Sequence, residues 1–265
     1  MLRLAAVALG AALSLAVVPG CGDDTVRVAF RPEAGTRYAY EIDVEATTVT
    51  DIEGRGPVRQ SDRYVLRADH DVLSADGDSS RVEVQVREPG GATRRFVVRL
   101  DRAGQLAEVQ RIEGLPAQAL GSLGLSEIFP AAAGAPPDRP LAPGDRWQVD
   151  DPVELPGQAR TRLRGSGRLS ALGVVSGREV ATIENRFELA VRGVTELLTG
   201  RFRLDGRQTT TSTAAHALDD GVVQQVDAVT RGQFRLTLLP PDGTDGPPVP
   251  GTLEVEIRSK TRRLG

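Results

Sequence analysis

The sequence predicts a mainly β protein, in which about ten to twelve strands form one large, curved antiparallel sheet (an open half-barrel) with one short helix. Apolar and polar residues alternate with period two along most of the chain. Turn residues separate these runs, and aromatic residues make up only 4% of the 265 residues. Such alternation is typical of strands with one buried and one solvated face. A β-sandwich and a closed up-and-down barrel are the alternatives.

The predicted strands share the alternation of apolar residues on one face with charged or polar residues on the other. The run around Ile42 is typical: Tyr38, Tyr40 and Val44 share its apolar face, and Glu41 and Asp43 lie on the other. The runs cover residues 38–46, 64–72, 82–86, 96–100, 181–191, 202–204, 222–226, 234–238 and 253–257.

One segment in the middle of the chain lacks this alternation. Residues 115–129 predict the short helix, and the proline-rich residues 130–144 predict an irregular crossover. Neither side of the crossover carries a helical layer to cover a sheet of its own. We therefore predict a single exported β domain over residues 26–265, preceded by a signal peptide (1–20) and a short tether (21–25).

The first residues predict export. Arg3 precedes fifteen apolar or small residues (4–18), which is the order of a secretory signal peptide. As a helix this segment would span about 22 Å, which is too short for a hydrocarbon core of about 30 Å. The sequence Val-Pro-Gly-Cys at 18–21 resembles the bacterial lipobox, so Cys21 is the predicted lipid attachment site. Cys21 is the only cysteine, which excludes an intramolecular disulfide.

An acylated cysteine predicts a lipoprotein that is held in the cell envelope by several acyl chains, palmitate among them. Gly22 follows Cys21; in an envelope with two membranes, the absence of Asp there favours the outer membrane (periplasmic face or cell surface) over the inner one. The net charge of −3 argues against nucleic-acid binding. The expected partners are membrane lipid, through acylated Cys21, and either an apolar ligand or an envelope protein.

Two short motifs carry a family resemblance. Gly-Thr-Arg-Tyr-Ala-Tyr at 35–40 and Gly-Asp-Arg-Trp at 144–147 resemble a group of uncharacterised bacterial lipoproteins with Gly-x-x-Tyr-x-Tyr and Gly-Asp-x-Trp motifs. The layout is also similar to half-barrel lipid and lipoprotein carriers, in which a curved sheet wraps short helices around an apolar pocket. The resemblance implies this architecture and names no catalytic residue. We expect Tyr38, Tyr40 and Trp147 to pack in the core.

The residues that catalysis or metal binding needs are sparse, so we predict no enzyme, cofactor or metal site. Asp69-His70-Asp71 comes nearest to a metal site. On a strand, however, His70 points away from the face of the two carboxylates, which we expect to face water. The Gly-Ser-Gly at 165–167 lacks the spacing of a nucleophile elbow. The paired carboxylates at 150–151 are expected at a turn.

A row of arginines marks one further strand. Arg160, Arg162 and Arg164 share one face, with Arg168 in step. A solvated outer face is the favoured interpretation, and a docking surface for an anionic partner is the alternative.

Three function classes follow from these observations. The first is a non-catalytic envelope lipoprotein that serves interaction or assembly. The second binds or carries a lipid or other apolar ligand in the concave face of the sheet, with Leu66, Val84, Val98 and Phe187 as the expected pocket lining. The third is an enzyme whose site the sequence does not reveal.

Overall fold

Eleven strands make up the fold in the computed structural model of the chain, which describes residues 25–76, 79–87, 93–101, 106–113, 136–153, 161–197, 200–240 and 246–265. The described residues contain no helix. Cys21, the signal peptide and the predicted helix at 115–129 lie outside the described residues. The strands are β1 Arg37–Ile52, β2 Gly56–Ala75, β3 Ser79–Arg87, β4 Thr93–Asp101, β5 Leu106–Glu113, β6 Arg146–Val153, β7 Thr161–Val175, β8 Arg178–Leu197, β9 Gly200–Ala217, β10 Val223–Leu239 and β11 Val249–Leu264.

All eleven strands belong to one antiparallel sheet, which confirms the predicted fold class and strand number. The order across the sheet is β5-β4-β3-β2-β1-β11-β10-β9-β8-β7-β6. Each strand lies beside its neighbours in sequence, except that β1 pairs with β11 in the centre and β5 and β6 form the two edges. The chain is therefore two antiparallel meanders joined through its first and last strands.

The sheet is not closed into a barrel. The edge strands β5 and β6 approach each other to within 8 Å between Cα atoms, but no described hydrogen-bonded ladder joins them. An unbonded seam of this kind distinguishes the fold from the closed-barrel alternative, in which every strand pairs on both sides. The single sheet likewise excludes the β-sandwich.

Residues 26–36, which we call the N-terminal strap, connect the two halves of the sheet at one end. Val26 and Leu141 exchange two backbone hydrogen bonds of 2.9 and 2.8 Å, just before β6. Arg31 N–H donates to the carbonyl of Asp220 in the β9–β10 turn (2.7 Å), and the strap then bonds to Val72 of β2. The strap therefore touches both meanders.

One face of the sheet, the inner face, carries nearly all of the buried residues; the opposite face is the outer face. On β1, Tyr38, Tyr40 and Ile42 are at most 4% exposed, as period two requires. Their cluster extends over β1–β4 and β11, and a second cluster around Trp147 and Leu169 joins β6–β8 to the strap. The predicted core positions of both tyrosines and Trp147 are confirmed.

Trp147 packs directly over a glycine on the neighbouring strand. A Cβ atom at Gly167 of β7 would lie 2.3 Å from the indole ring, whereas nothing lies within 4 Å of the corresponding position at Gly173. The absence of a side chain at Gly167 therefore creates the space that the only tryptophan occupies.

Gly167→Ala is expected to lower the free energy of unfolding by about 2 kcal/mol, because the added methyl group displaces the indole from a packed site. Denaturant unfolding measures this change. The matched control, Gly173→Ala on the same strand, should leave the unfolding midpoint nearly unchanged. Equal effects of the two substitutions would contradict the packing of Trp147 over Gly167.

Candidate functional site

The residues predicted to line a pocket all lie on the inner face, and all are buried. Leu66, Val84 and Val98 belong to one hydrophobic cluster, and Phe187 belongs to the cluster of β6–β8. Each is at most 4% exposed. The structure therefore places three of them together and the fourth with the other half of the sheet.

The inner face is not uniformly apolar. On β9 to β11 it carries a set of buried small polar residues, of which Thr210 and Thr230 satisfy each other through a hydroxyl–hydroxyl bond of 2.9 Å. The hydroxyls of Ser212 and Thr261, in contrast, have no hydrogen-bond partner among the described residues. Ser212 is 6% exposed and Thr261 is 1% exposed. Buried hydroxyls without partners are uncommon because each loses its hydration.

His216 of β9 adds an unsatisfied ring nitrogen to this face. Its Nδ1 lies 3.3 Å from the carbonyl oxygen of Gly221, and since a carbonyl only accepts, Nδ1 carries the proton. Burial lowers the pKa of His216 to about 4, so the ring is neutral near pH 7. Nε2 is then a bare acceptor, and no described group donates to it.

The Asp69-His70-Asp71 segment divides between the two faces, as the strand geometry predicts. The His70 ring lies on the inner face against Tyr40, with ring centroids 4.9 Å apart. Asp71 bonds to Arg37 on the outer face. The expectation that both carboxylates face water is wrong for Asp69. Its residue is only 8% exposed, because the guanidinium of Arg87 covers it at 2.8 Å.

The β9–β10 turn is fixed at the strap end by charged groups. Arg178 of β8 bonds to the carboxylates of Asp219 and Asp220. The hydrogen bond from Arg178 to Asp219 lowers the pKa of the Asp219 carboxyl group. Nearby, the guanidinium of Arg263 stacks 4.8 Å from the ring centre of Tyr38, a cation–π contact. Ion pairs and stacking thus order this end of the sheet around the strap.

The arginine row of β7 is neutralised by the adjacent strand. Arg162 and Arg164 both donate to Asp150 of β6, at 2.7 and 3.3 Å. Both hydrogen bonds lower the pKa of Asp150, and the bond from Arg162 has the larger effect. The prediction that Asp150 lies at a turn is wrong, because it sits within β6 opposite Arg164. Arg160 lies outside the described residues.

The outer face contains a recess, which we call the outer trough, with a volume of about 730 Å³. Five side chains cross its floor in register on five adjacent strands, in the order Asp43, Lys260, Asp227, Thr213, Glu184. We call them the charged row. The lining residues that point to the outer face are Asp43, Glu45, Arg63, Glu184, Thr211, Thr213, Asp227, Val229, Arg258 and Lys260. Four residues of the same strands, whose side chains belong to the inner face, also border the recess: Asn185, Ser212, Ala228 and Ser259.

The charged row has a surplus of negative charge. Within the described residues, no cationic side chain lies within 4.0 Å of Asp43, Asp227 or Glu184. Lys260, the only lysine of the chain, stands between two of these carboxylates without an ion pair among the described residues. The other cations of the lining are already paired: Arg63 with Glu45 at 3.4 Å, and Arg258 with Glu256 at 2.7 Å.

Two other kinds of site are absent from the described residues. Across the strands and turns that the structure describes, no three His, Cys, Asp or Glu side chains lie where they could hold one metal ion. In the same residues, no helix is long and apolar enough to cross a membrane.

The chain has no match among the known proteins that were compared. No family model, no curated protein and no solved structure matches it.

Neither the outer trough nor the polar part of the inner face was predicted from the sequence. Ser212 and Thr261 follow the inner-face alternation of β9 and β11, so the pattern could have placed them inside. The residues that line the recess, in contrast, come from five strands that are spread along the sequence and from Arg63 of β2, and only strand pairing brings Asp43 beside Lys260.

The stability of the protein is expected to fall between pH 7 and pH 5 because of His216. The folded state disfavours the charged ring (pKa about 4 against 6.5), so the unfolded state binds more protons as the pH falls through 6.5. The loss is about 2 kcal/mol over this interval. Urea unfolding at both pH values measures it, and His216→Gln should reduce the loss by that amount. An identical pH dependence in the variant would contradict the buried neutral ring.

Proposed function

We propose that this chain is a non-catalytic envelope lipoprotein, anchored through acylated Cys21, that docks a partner with basic side chains in the outer trough. The observation that carries the proposal is the charged row, in which Asp43, Asp227 and Glu184 face a recess without cationic partners among the described residues. Carboxylates in such a row attract cationic groups and reject anionic ones.

The size of the recess supports an extended peptide segment as the occupant. A volume of about 730 Å³ accommodates several side chains, and the row crosses five strands, about 19 Å at the usual strand spacing. Exposed Thr211 and Thr213 lie between the charges on β9. They offer hydroxyls to the backbone or side chains of a partner.

The position of the strap supports the anchored arrangement. Val26, the first residue of the strap, lies five positions after Cys21, so the chain between them reaches at most about 18 Å. Acylation at Cys21 would therefore hold the strap end of the sheet close to the membrane surface. The trough lies on the outer face of the central strands, where it stays accessible to a partner.

The trough variant Asp43→Asn/Asp227→Asn is expected to weaken binding of a fluorescent arginine-rich peptide about tenfold, because two of the three carboxylates without a cationic partner among the described residues are lost. Fluorescence anisotropy measures the affinity. The wild-type affinity should also fall as salt is raised.

Glu188→Gln is the matched control for this measurement. Glu188 is an exposed carboxylate on β8 that pairs with Arg207 at 3.5 Å, and it does not line the trough. Its removal should leave peptide affinity unchanged, and an acidic peptide of equal length should not bind. If both variants lose affinity equally, general surface charge explains the binding and the trough proposal fails.

Cys21→Ser is expected to move the protein from the membrane fraction to the soluble fraction, because no thiol remains for acylation. The wild-type protein should begin at Cys21 and carry the mass of its acyl chains, as intact-mass analysis would show. Retention of Met1, or a mature start beyond Cys21 without acyl mass, would contradict the anchor.

A second candidate function, the binding of a lipid on the inner face, is supported by a separate observation, because a lipid carries polar groups as well as apolar chains. Polar atoms of Ser212, Thr261 and His216 are buried there without partners in the described part of the chain. A bound molecule would satisfy them where the folded chain does not. Binding of the apolar dye N-phenylnaphthylamine to the purified protein tests this candidate.

A further inference from the structure

The charged row of the outer trough continues beyond Glu184 onto the two strands at the β6 edge of the sheet. Arg168 of β7 stands opposite Glu184, and Arg146 of β6 stands opposite Arg168. We call Arg146 and Arg168 the arginine pair. From Asp43 to Arg146 the row crosses seven adjacent strands, which is about 29 Å at the usual strand spacing. Carboxylates therefore occupy most of the row, and two neighbouring guanidinium groups occupy its end.

The arginine pair lies on the same face as the trough. Trp147 and Leu169, which follow the two arginines along their strands, are buried on the inner face. Period two therefore places the side chains of Arg146 and Arg168 on the outer face. Both arginines are exposed there, so a docked partner can reach them.

The arginine pair has no counter-ion of its own. Among the described residues, no carboxylate lies within 4.0 Å of either guanidinium group. Asp150 neutralises Arg162 and Arg164 of β7 but not Arg168, and Glu184 makes no ion pair with Arg168 either. Residues directly opposite each other on antiparallel strands have Cβ atoms about 5 Å apart, and like charges at such positions destabilise the sheet. A bound anion would relieve this repulsion.

A second opposed pair of arginines shows the arrangement that results when the fold supplies the anion itself. Arg67 and Arg87 stand opposite each other on β2 and β3. Asp69 lies 3.9 Å from the first guanidinium and 2.8 Å from the second. The corresponding carboxylate is missing beside the arginine pair in the described part of the chain, so a partner can provide it.

The surroundings of the arginine pair favour a peptide carboxylate as this anion. Guanidinium groups bind carboxylates and phosphates through charge-assisted hydrogen bonds. An anionic membrane surface would also meet Asp43, Asp227 and Glu184 in the same row, and these like charges would repel it. A single peptide segment can instead place basic side chains over the carboxylates and acidic side chains over the arginines. A length of about 29 Å corresponds to about nine extended residues.

We propose that the segment docked in the outer trough carries acidic residues beyond its basic ones, and that the arginine pair binds these acidic side chains. The inference rests on the proposed docking function and assigns the charge pattern of the partner. The basic part of the segment lies over β1, β10 and β8, and its acidic part lies over β7 and β6. A wholly acidic segment does not bind, because it faces the three carboxylates of the row.

Two fluorescent peptides of about ten residues test the inference on the full-length protein. Both contain three arginines, which are followed by two aspartates in one peptide and by two asparagines in the other. At low salt, wild-type protein should bind the aspartate peptide about fivefold more tightly, as two exposed ion pairs allow. Arg146→Gln/Arg168→Gln should abolish this preference and keep the affinity for the asparagine peptide. Fluorescence anisotropy measures both affinities.

Arg59→Gln/Arg203→Gln is the matched control. Both arginines are exposed, and neither has an ion pair among the described residues. They lie on the outer face but outside the charged row. This variant loses the same total charge and should keep the fivefold preference. Loss of the preference in both variants would mean that net charge explains it, which overturns the arginine pair as the binding group.

The stability of the free protein gives a readout that needs no peptide. Arg168 is the one residue opposite Arg146 in the described sheet, because β6 is an edge strand. Arg146→Gln removes one of two opposed charges, so the thermal midpoint should stay unchanged or rise. A lower midpoint would reveal a stabilising contact of Arg146 and overturn its lack of a counter-ion.

The outcomes separate the inference from the function on which it rests. If neither peptide binds wild-type protein, docking in the trough fails and the inference fails with it. If the two peptides bind equally, the trough stands and the arginine pair is overturned. Vesicles of phosphatidylglycerol and phosphatidylcholine supply the remaining comparison. If non-acylated Cys21→Ser protein binds them, and Arg146→Gln/Arg168→Gln removes that binding, the pair meets a membrane surface and the peptide assignment is overturned.

Discussion

The antiparallel pairing of β1 with β11 is the constraint on which the rest of the structure depends. It runs from Ala39 opposite Leu264 to Ile52 opposite Gly251, so the two ends of the domain meet in the centre of the sheet. Without it, the meanders β1–β5 and β6–β11 would each have one more open edge, and exposed edges are prone to pair with other chains. The pairing closes the largest loop of the fold and has a correspondingly high entropic cost.

Continuity of the sheet produces the two faces with opposite chemistry. The inner-face alternation passes from Ile42 to Thr261 and on to Val226 without a change of side at the central pairing. One curved sheet can then bury its apolar residues against itself, where two smaller sheets would need a covering layer. The strap reinforces this arrangement at one end by bonding to both meanders, while the seam between β5 and β6 stays without a ladder.

The outer trough and the buried hydroxyls of the inner face are consequences of the same pairing. Asp43 meets Lys260 only because β1 lies beside β11, and Asp227 joins them from β10. On the other side of the same strands, Thr261 and Ser212 face inward, and their hydroxyls have no hydrogen-bond partner among the described residues. Leaving such groups unsatisfied lowers stability. The two candidate functions therefore concern opposite faces of β9, β10 and β11.

The sequence by itself determined the class of fold, the approximate strand number and the buried side of each strand, because period-two alternation is a local property of the chain. It also placed His70 opposite to its flanking carboxylates. Tertiary structure alone decided that β1 pairs with β11, that Arg87 covers Asp69, and that Asp150 lies in a strand beside Arg162. The physical reason is that strand pairing joins residues far apart in sequence, and neither their contacts nor their missing hydrogen-bond partners leave a local pattern.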